Sequence, residues 1–450
     1  MKAMQYVNVG YQRILTFECR SGGFNWWEGD DPGNPILSAI AVSMLSDTKR
    51  VYHAVDDAVI ERTVAYLERI QGPDGGWGAE SHLHAGNENL GAGALRSTCY
   101  IAWSLAEGGF ASRPSVMKAL GFIRGKVDAE KDLYTLGVCA NALALGAKDG
   151  AALRPLLDRV RAEAVEEGDL LHWEMKGMTV VNSGGAAGNV EVTALMALAL
   201  INGEATAQEV SKAVNWLAAS KDPNGTWGYN TQATVLALKA FLKAATMQGS
   251  DTAADVRVLL DGKEIGARHF DNFNREVVWS VELSADQVKR HNVIELQFTG
   301  MGSLGYQVVS THFVPWGKQD RPAEPLTISL SYDRNRIKVD ETVKATAVLT
   351  KNDADLRGMV LVSLGIPPGF DVLTEDLDLL KSQKAIASYE LTGRQVIVYL
   401  NELPAGESWV VEYRLKARYP VKAQTGESEV RMYYRGDVRS TAAPGELIVE

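Results

Sequence analysis

Cysteine is scarce. Cys19, Cys99 and Cys139 are the only three in 450 residues. An odd count with no Cys-x-x-Cys pair argues against a disulfide scaffold. Cys99 and Cys139 fall in apolar helical stretches, where a buried free thiol is the expected state. An excess of positive charge is also lacking. Lys and Arg number 46 against 56 Asp and Glu, a formal net charge of −10. That balance argues against a phosphate-backbone partner, so no nucleic acid is expected. No apolar run is long enough to span a bilayer; the longest, near 192–201, falls short. The opening Met1-Lys-Ala-Met-Gln-Tyr6 has no hydrophobic signal core, so no signal peptide is expected in this chain.

What the chain has is a repeated turn. Gln71-Gly-Pro-Asp-Gly-Gly-Trp77 is nearly copied at Lys221-Asp-Pro-Asn-Gly-Thr-Trp227, and more weakly at Ser21-Gly-Gly-Phe24. Proline sets one corner of such a turn, and Asp-Gly or Asn-Gly tolerates positive φ at the other. The aromatic that follows is a large apolar plug beside the turn. Phe24 and Trp77 stand 53 residues apart, and Trp77 and Trp227 stand 150 apart. Both fit a unit of roughly 50 residues, a period typical of repeat arrays.

The pattern from about 4 to 246 predicts helices near 4–17, 36–46, 51–70, 91–108, 113–126, 131–146, 149–167, 189–202, 206–220 and 230–245. Pro35 suits a first helical turn. Thr206 with Glu209 reads as a capping box. Val192–Leu200 is apolar nearly all round, whereas Ala58–Ile70 keeps a charged face. A helix apolar on every side must be covered on every side. Inner and outer helices wound into an α/α toroid meet that need. Ten helices is two short of the six pairs such a ring usually has, so the toroid is expected to be incomplete.

Past about 248 the period changes to two. Strands are expected at 256–260 before an Asp-Gly turn, and at 277–281, 293–298 and 306–311. The polar run Gly317–Pro325 reads as a linker. Beyond it, 326–332, 343–349, 396–400 and 411–419 alternate cleanly, with one short helix at 375–384, and predict an antiparallel β-sandwich.

Chemistry is harder to find. Asp30-Asp31 lies in a Gly/Pro loop, and Asp56-Asp57 opens a helix where carboxylates complement the dipole. Neither is the acidic cluster that a terpene cyclase needs. Glu80-Ser-His82-Leu-His84 lacks a readable third and fourth metal ligand. His172-Trp173-Glu174 reads as a brace at a helix end rather than as acid/base machinery. No catalytic, cofactor or metal set is therefore expected.

Several strings resemble the C-terminal part of the alpha-2-macroglobulin and complement family. Asn8-Val-Gly-Tyr11, Leu171-His-Trp-Glu174, Asn189-Val-Glu191-Val-Thr193 and Asn230-Thr-Gln232-Ala-Thr resemble its thioester domain. Gly365-Ile-Pro-Pro-Gly-Phe370, Gly393-Arg-Gln-Val396, Arg414-Leu-Lys-Ala417 and Tyr433-Tyr434 resemble its receptor-binding domain. The resemblance implies three domains: a thioester-like toroid at 1–247 lacking its first helices, a CUB-like β segment and linker at 248–320, and a receptor-binding-like sandwich at 321–450. It also implies a non-enzymatic endopeptidase inhibitor or defence protein, working outside the cell or in the periplasm. Its partners would be proteases and the remaining N-terminal macroglobulin domains.

The family's thioester joins the Cys and Gln of a Cys-Gly-Glu-Gln motif, which is shielded until proteolysis exposes it. That motif is absent here, so the chain is expected to act non-covalently or as part of a longer whole. By the same resemblance, His84 or His82 would be the acyl-transfer histidine of an intact parent. The positions where the vertebrate inhibitor carries receptor-binding lysines fall on Thr374 and Asp378, so a cationic receptor contact is not expected. The alternative reading is an α/α-toroid enzyme, terpene-cyclase-like or polysaccharide-active, with β modules.

Overall fold

The computed structural model describes residues 2–78, 93–147, 150–203, 205–222, 225–228, 230–247, 253–274, 279–301, 305–310, 312, 324–353, 356–404 and 406–450. The chain divides into two units. Residues 1–243 and 314–450 form one, and residues 244–313 form the other.

The described residues up to 247 carry ten α-helices: α1 (Lys2–Leu15), α2 (Pro35–Lys49), α3 (Asp57–Arg69), α4 (Ala94–Leu105), α5 (Pro114–Arg124), α6 (Leu133–Ala147), α7 (Gly150–Ala162), α8 (Gly185–Asn202), α9 (Ala207–Ala219) and α10 (Thr231–Met247). Their starts follow local chemistry. Asn34 caps α2, its Oδ1 accepting from the Ile36 and Leu37 amides at 2.9 and 3.0 Å, with Pro35 in the first turn. Asp56 caps α3 by accepting from the Ala58 amide, so that helix begins later than its apolar pattern suggests. Thr206 accepts from the Glu209 amide at 3.3 Å, but Glu209 spends its carboxylate on Arg161 at 2.7 Å, so the capping box is half made.

The even-numbered helices are the inner ones. Residues 97–105 of α4 and 190–200 of α8 are buried on all sides. The odd-numbered helices α3, α5, α7 and α9 each bury one face. This alternation is the α/α toroid. α8 is long and apolar enough to cross a membrane, yet 72% of that stretch is buried inside the protein. The last inner helix reaches the first: Lys239 on α10 lies 2.8 Å from Asp47 on α2 and 2.7 Å from Glu107 in the π-helical turn 106–110.

The aromatic plugs explain the period. The Trp77 indole donates to the Leu67 carbonyl at the end of α3 at 2.8 Å, and its backbone amide donates to Thr98 Oγ1 on α4 at 2.9 Å. Trp173 repeats this with Val160 at the end of α7 and Thr193 on α8. Trp227 repeats it with Leu217 at the end of α9 and Thr234 on α10. Phe24, lacking an indole N–H, keeps only the backbone half, to Ser38 Oγ on α2. Each tryptophan plug thus ties an outer helix end to the next inner helix. Gly75, at φ 88°, brings the turn against α5, and a Cβ there would sit 2.6 Å from the Lys118 carbonyl oxygen.

One expectation is overturned here. Cys99 on α4 and Cys139 on α6 are not free thiols but a disulfide, their Cα atoms 4.8 Å apart. Apolar surroundings told that each is buried. That α4 and α6 pack side by side with the two residues at one depth is a tertiary fact. Cys19 is a free, buried thiol pushed up to about 11, by burial first and then by Asp31.

In the smaller unit, strands Ala253–Leu260, Lys263–Asp271 and Ile294–Met301 form an antiparallel sheet with Ala253–Leu260 at its centre. The Asp261-Gly262 turn joins the first two, both residues at positive φ. The expected strands at 277–281 and 306–311 do not form among their described residues. Trp279 and Val281 instead pack over Gly266, where a Cβ would meet them at 3.0 and 3.1 Å. Alternation marks a two-faced segment and does not supply it with a ladder partner.

The sandwich forms as its alternation predicts. One sheet orders Phe370–Val372, Ser408–Ala417, Thr342–Lys351 and Leu326–Tyr332. The other orders Ser388–Leu391, Gln395–Leu400, Val360–Gly365, Ser428–Met432 and Arg439–Ala442. Val343, Ala345, Val411 and Leu415 from the first meet Val360, Val362, Val396 and Val398 from the second in one core. Thr374–Ser382 is the expected short helix, α11.

Candidate functional site

The ring and the sandwich meet along a seam at the N-terminal ends of inner helices. The plug turn before α2 places Phe17, Trp27 and Met44 on one side of a cavity of about 290 Å³. Met359, Tyr399 and Tyr433 of the sandwich line the other side. The Trp27 and Tyr399 rings meet edge-on at 5.5 Å, a contact between the two domains. Tyr433 lies 6.2 Å from Tyr399. At the rim Arg13 donates to Glu28 at 2.9 Å and pairs with Glu390 of the sandwich at 3.6 Å. Burial, aided by the charge of Glu390, pushes the Tyr399 phenol up to about 12, so it stays neutral. An aromatic, largely apolar lining suits the exclusion of water from a reactive group more than it suits acid/base catalysis.

The seam continues beside α8. The loop before that helix is buried from Thr179 to Gly184, which is unusual for a connection. Asn182 holds φ 67° within it. The Ser183 hydroxyl accepts from Asn230, just before α10, at 2.9 Å. Arg96 of α4 holds the loop from below, donating to the Met178 carbonyl at 2.9 Å and to Asp132, just before α6, at 2.8 Å. Above, the Tyr434 hydroxyl faces Asn182, and Arg435 lies beside Gly185.

Glu191, one turn and a half into α8, is wholly buried, and both carboxylate oxygens lack a hydrogen bond of good geometry among the described residues. The Thr179 and Ser183 side chains face it closely enough to favour the anion, but burial dominates and pushes the acid up to about 8.

The sequence candidates fall as follows. His82 and His84 lie outside the described residues, as does Glu80. Asp31 accepts from the Ser21 amide in an exposed turn, and Asp56 caps α3. Asp57 pairs with Lys49. His172 stacks on Trp216 at 4.7 Å with Glu174 3.7 Å away, which is a brace. Among the described residues no group of three or more His, Cys, Asp or Glu could hold a metal ion. The structure does not gather these candidates into one site. Sequence reasoning missed Trp27, Tyr399 and Tyr433 as a set, because they come from two domains. Glu191 carried a readable signal, being the one acid in an otherwise apolar helix.

A family model of the A-macroglobulin TED domain matches residues 1–243, and one of the A-macroglobulin receptor binding domain matches 355–443. Complement C3 of Eptatretus burgeri is 23% identical over 97% of this chain and 28% of that protein. Complement C3 of Oncorhynchus mykiss is 23% identical over 86% of this chain and 24% of that protein. In structure, a mutant of Salmonella alpha-2-macroglobulin superposes with a TM-score of 0.66 at 19% identity, covering 98% of this chain and 27% of that one. Native Escherichia coli alpha-2-macroglobulin from domain MG7 to the C-terminus gives 0.63 at 15%, covering 98% and 67%. The chain thus spans about a quarter of the length of these complement proteins. With the TED model matching more than half of its length, and the toroid and sandwich both in place, the chain belongs to the A-macroglobulin family.

Proposed function

We propose that this chain is the C-terminal, shielding portion of an alpha-2-macroglobulin-like endopeptidase inhibitor. Its partners are proteases and the macroglobulin domains of the whole molecule. The observation that carries the reading is the aromatic, partly open cavity between ring and sandwich, where Trp27 meets Tyr399 edge-on. A thioester is a strained, water-sensitive acyl group. It survives only where water is excluded, and it reacts when the cover moves. The residues that cover the cavity come from two domains, so a domain shift uncovers it without any local unfolding.

The chain's own sequence holds no Cys-Gly-Glu-Gln, so acylation requires that group from outside these 450 residues. His84, or failing it His82, is the residue we assign to acyl transfer in that assembly. The Cys99–Cys139 disulfide supports an extracellular or periplasmic setting, since such bonds persist where the milieu is oxidising. In this reading the chain is a trap component and not an enzyme.

The test has two arms. Genomic sequence adjoining this gene should encode Cys-Gly-Glu-Gln. In the protein carrying both parts, Tyr399→Ala should speed methylamine-driven thiol release by about tenfold or more. An adjoining region without the motif, or an unchanged release rate, refutes the proposal.

A further inference from the structure

The seam carries a second device that the shielding role does not use. Glu191 is fully buried in the ring, and its carboxylate oxygens have no well-formed hydrogen bond among the described residues. Among the described residues the groups facing it are uncharged: Tyr100 of α4, Tyr134 of α6, and Thr179 and Ser183 of the buried loop. Tyr100 accepts from Gln232 of α10 at 2.9 Å, while the Tyr134 hydroxyl is without a hydrogen-bond partner among the described residues. The charges nearest the two tyrosines are already matched. Arg96 pairs with Asp132, and Glu107 pairs with Lys239. Arg435 of the sandwich lies on the far side of the loop, beside Gly185. Among the described residues a negative charge at Glu191 therefore meets no cation, and full burial keeps it from bulk solvent.

The buried loop connects this carboxyl to the sandwich. Thr179 and Ser183 touch Glu191 from within, and Asn182 between them faces Tyr434. Tyr434 is the neighbour of Tyr433, which lines the aromatic cavity, and their rings meet at 4.9 Å. Whatever displaces the loop is felt by both tyrosines.

We propose that Glu191 and the buried 179–184 loop form a proton-dependent latch between ring and sandwich, closed while the carboxyl is neutral and released when it ionises. Ionisation is relieved only by letting water reach the carboxylate, and the loop that bars water is also the loop under Tyr434. The sign follows from the direction of the shift. An acid raised in the folded state favours the closed form at lower pH, and that advantage is lost as pH rises through about 8. The latch concerns the seam of the proposed trap, but it holds whatever the seam shields.

Hydrogen–deuterium exchange on the full chain tests it, with rates corrected for intrinsic pH dependence, from about pH 6 to about pH 10. Peptides covering 179–184, 24–27 and 431–435 should exchange together, about tenfold faster on the alkaline side of a single midpoint. Glu191→Gln keeps the shape and cannot ionise, so the rise should vanish. A native protein without the rise, or an E191Q protein that retains it, overturns the latch. Should E191Q fail to fold by circular dichroism, Thr179→Val decides. Losing a hydroxyl that favours the anion should move the midpoint up by about half a pH unit, and an unmoved midpoint overturns the proposal. Thiol release plays no part in this readout, so failure here leaves the shielding proposal standing, and the reverse holds.

Discussion

Trp77→Phe isolates what the repeated plug contributes. The ring is buried to 1% exposure, and its indole N–H meets the Leu67 carbonyl at 2.8 Å. That carbonyl is a helix-end orphan. The amide that would normally reach it, from Gln71, turns to Glu68 instead. Phenylalanine keeps most of the apolar bulk but removes the donor, leaving a buried acceptor unpartnered at a cost of about 1–3 kcal/mol. Lost packing around the smaller ring adds about 1 kcal/mol. Thr98→Val removes the acceptor for the Trp77 backbone amide with little change in volume, again costing about 1–3 kcal/mol. For a ring of this size, each kcal/mol lowers the melting temperature by about 2–4 °C. Thermal unfolding followed by far-ultraviolet circular dichroism should therefore place W77F at least about 4 °C below the native protein. The same substitution at Trp173 should act alike, since Val160 and Thr193 repeat the contacts. If both variants melt within about 1 °C of the native chain, the plug is mere filler and the account of the period fails.

Two further perturbations probe how the ring is tied. Lys239→Met leaves Glu107, whose side chain is 8% exposed, to the longer Lys243 pair at 3.5 Å and the Ser43 hydroxyl, and should cost about 3 kcal/mol, the low end for a buried pair, in urea unfolding at neutral pH; the double variant with Glu107→Gln should recover most of it. Burial pushes the Glu107 acid up, but Lys239, Lys243 and Ser43 outweigh it and hold it below the usual range. The stabilisation is therefore present above the ordinary glutamate value and is lost as pH falls through the depressed one, so K239M should flatten the acid limb. The pair Cys99→Ala and Cys139→Ala opens a 40-residue link and should lower stability by about 4 kcal/mol, measured against a reductant-treated native control. Equal stability of oxidised and reduced native protein would contradict that.

Helix existence was legible because each stretch carries its own apolar pattern, and several carry their own cap. Asn34 with Pro35, Asp56 and Thr206 act within one turn of themselves. The sandwich strands were legible because Val343, Ala345 and Ala347 alternate against a single core. The strand at 277–281 misled because Trp279 and Val281 alternate to cover Gly266 rather than to pair. Cys99 and Cys139 misled because burial does not say which helix lies alongside. Glu191 is the one acid in its helix, yet only the fold shows that it is fully buried with no cation beside it among the described residues.

By itself the sequence determined the local matters: helix and strand periods, turn corners, the aromatic plugs at Phe24, Trp77 and Trp227, though not the one at Trp173, and the change of architecture near residue 248. These depend on residues a few positions apart, so chain order is enough to state them. The tertiary structure alone decided the disulfide, the Lys239 closure of first helix pair to last, the cavity between Trp27 and Tyr399, and the burial that raises the Glu191 acid. Each of those joins atoms far apart in the chain, or turns on whether water is present, and no spacing along one segment records that.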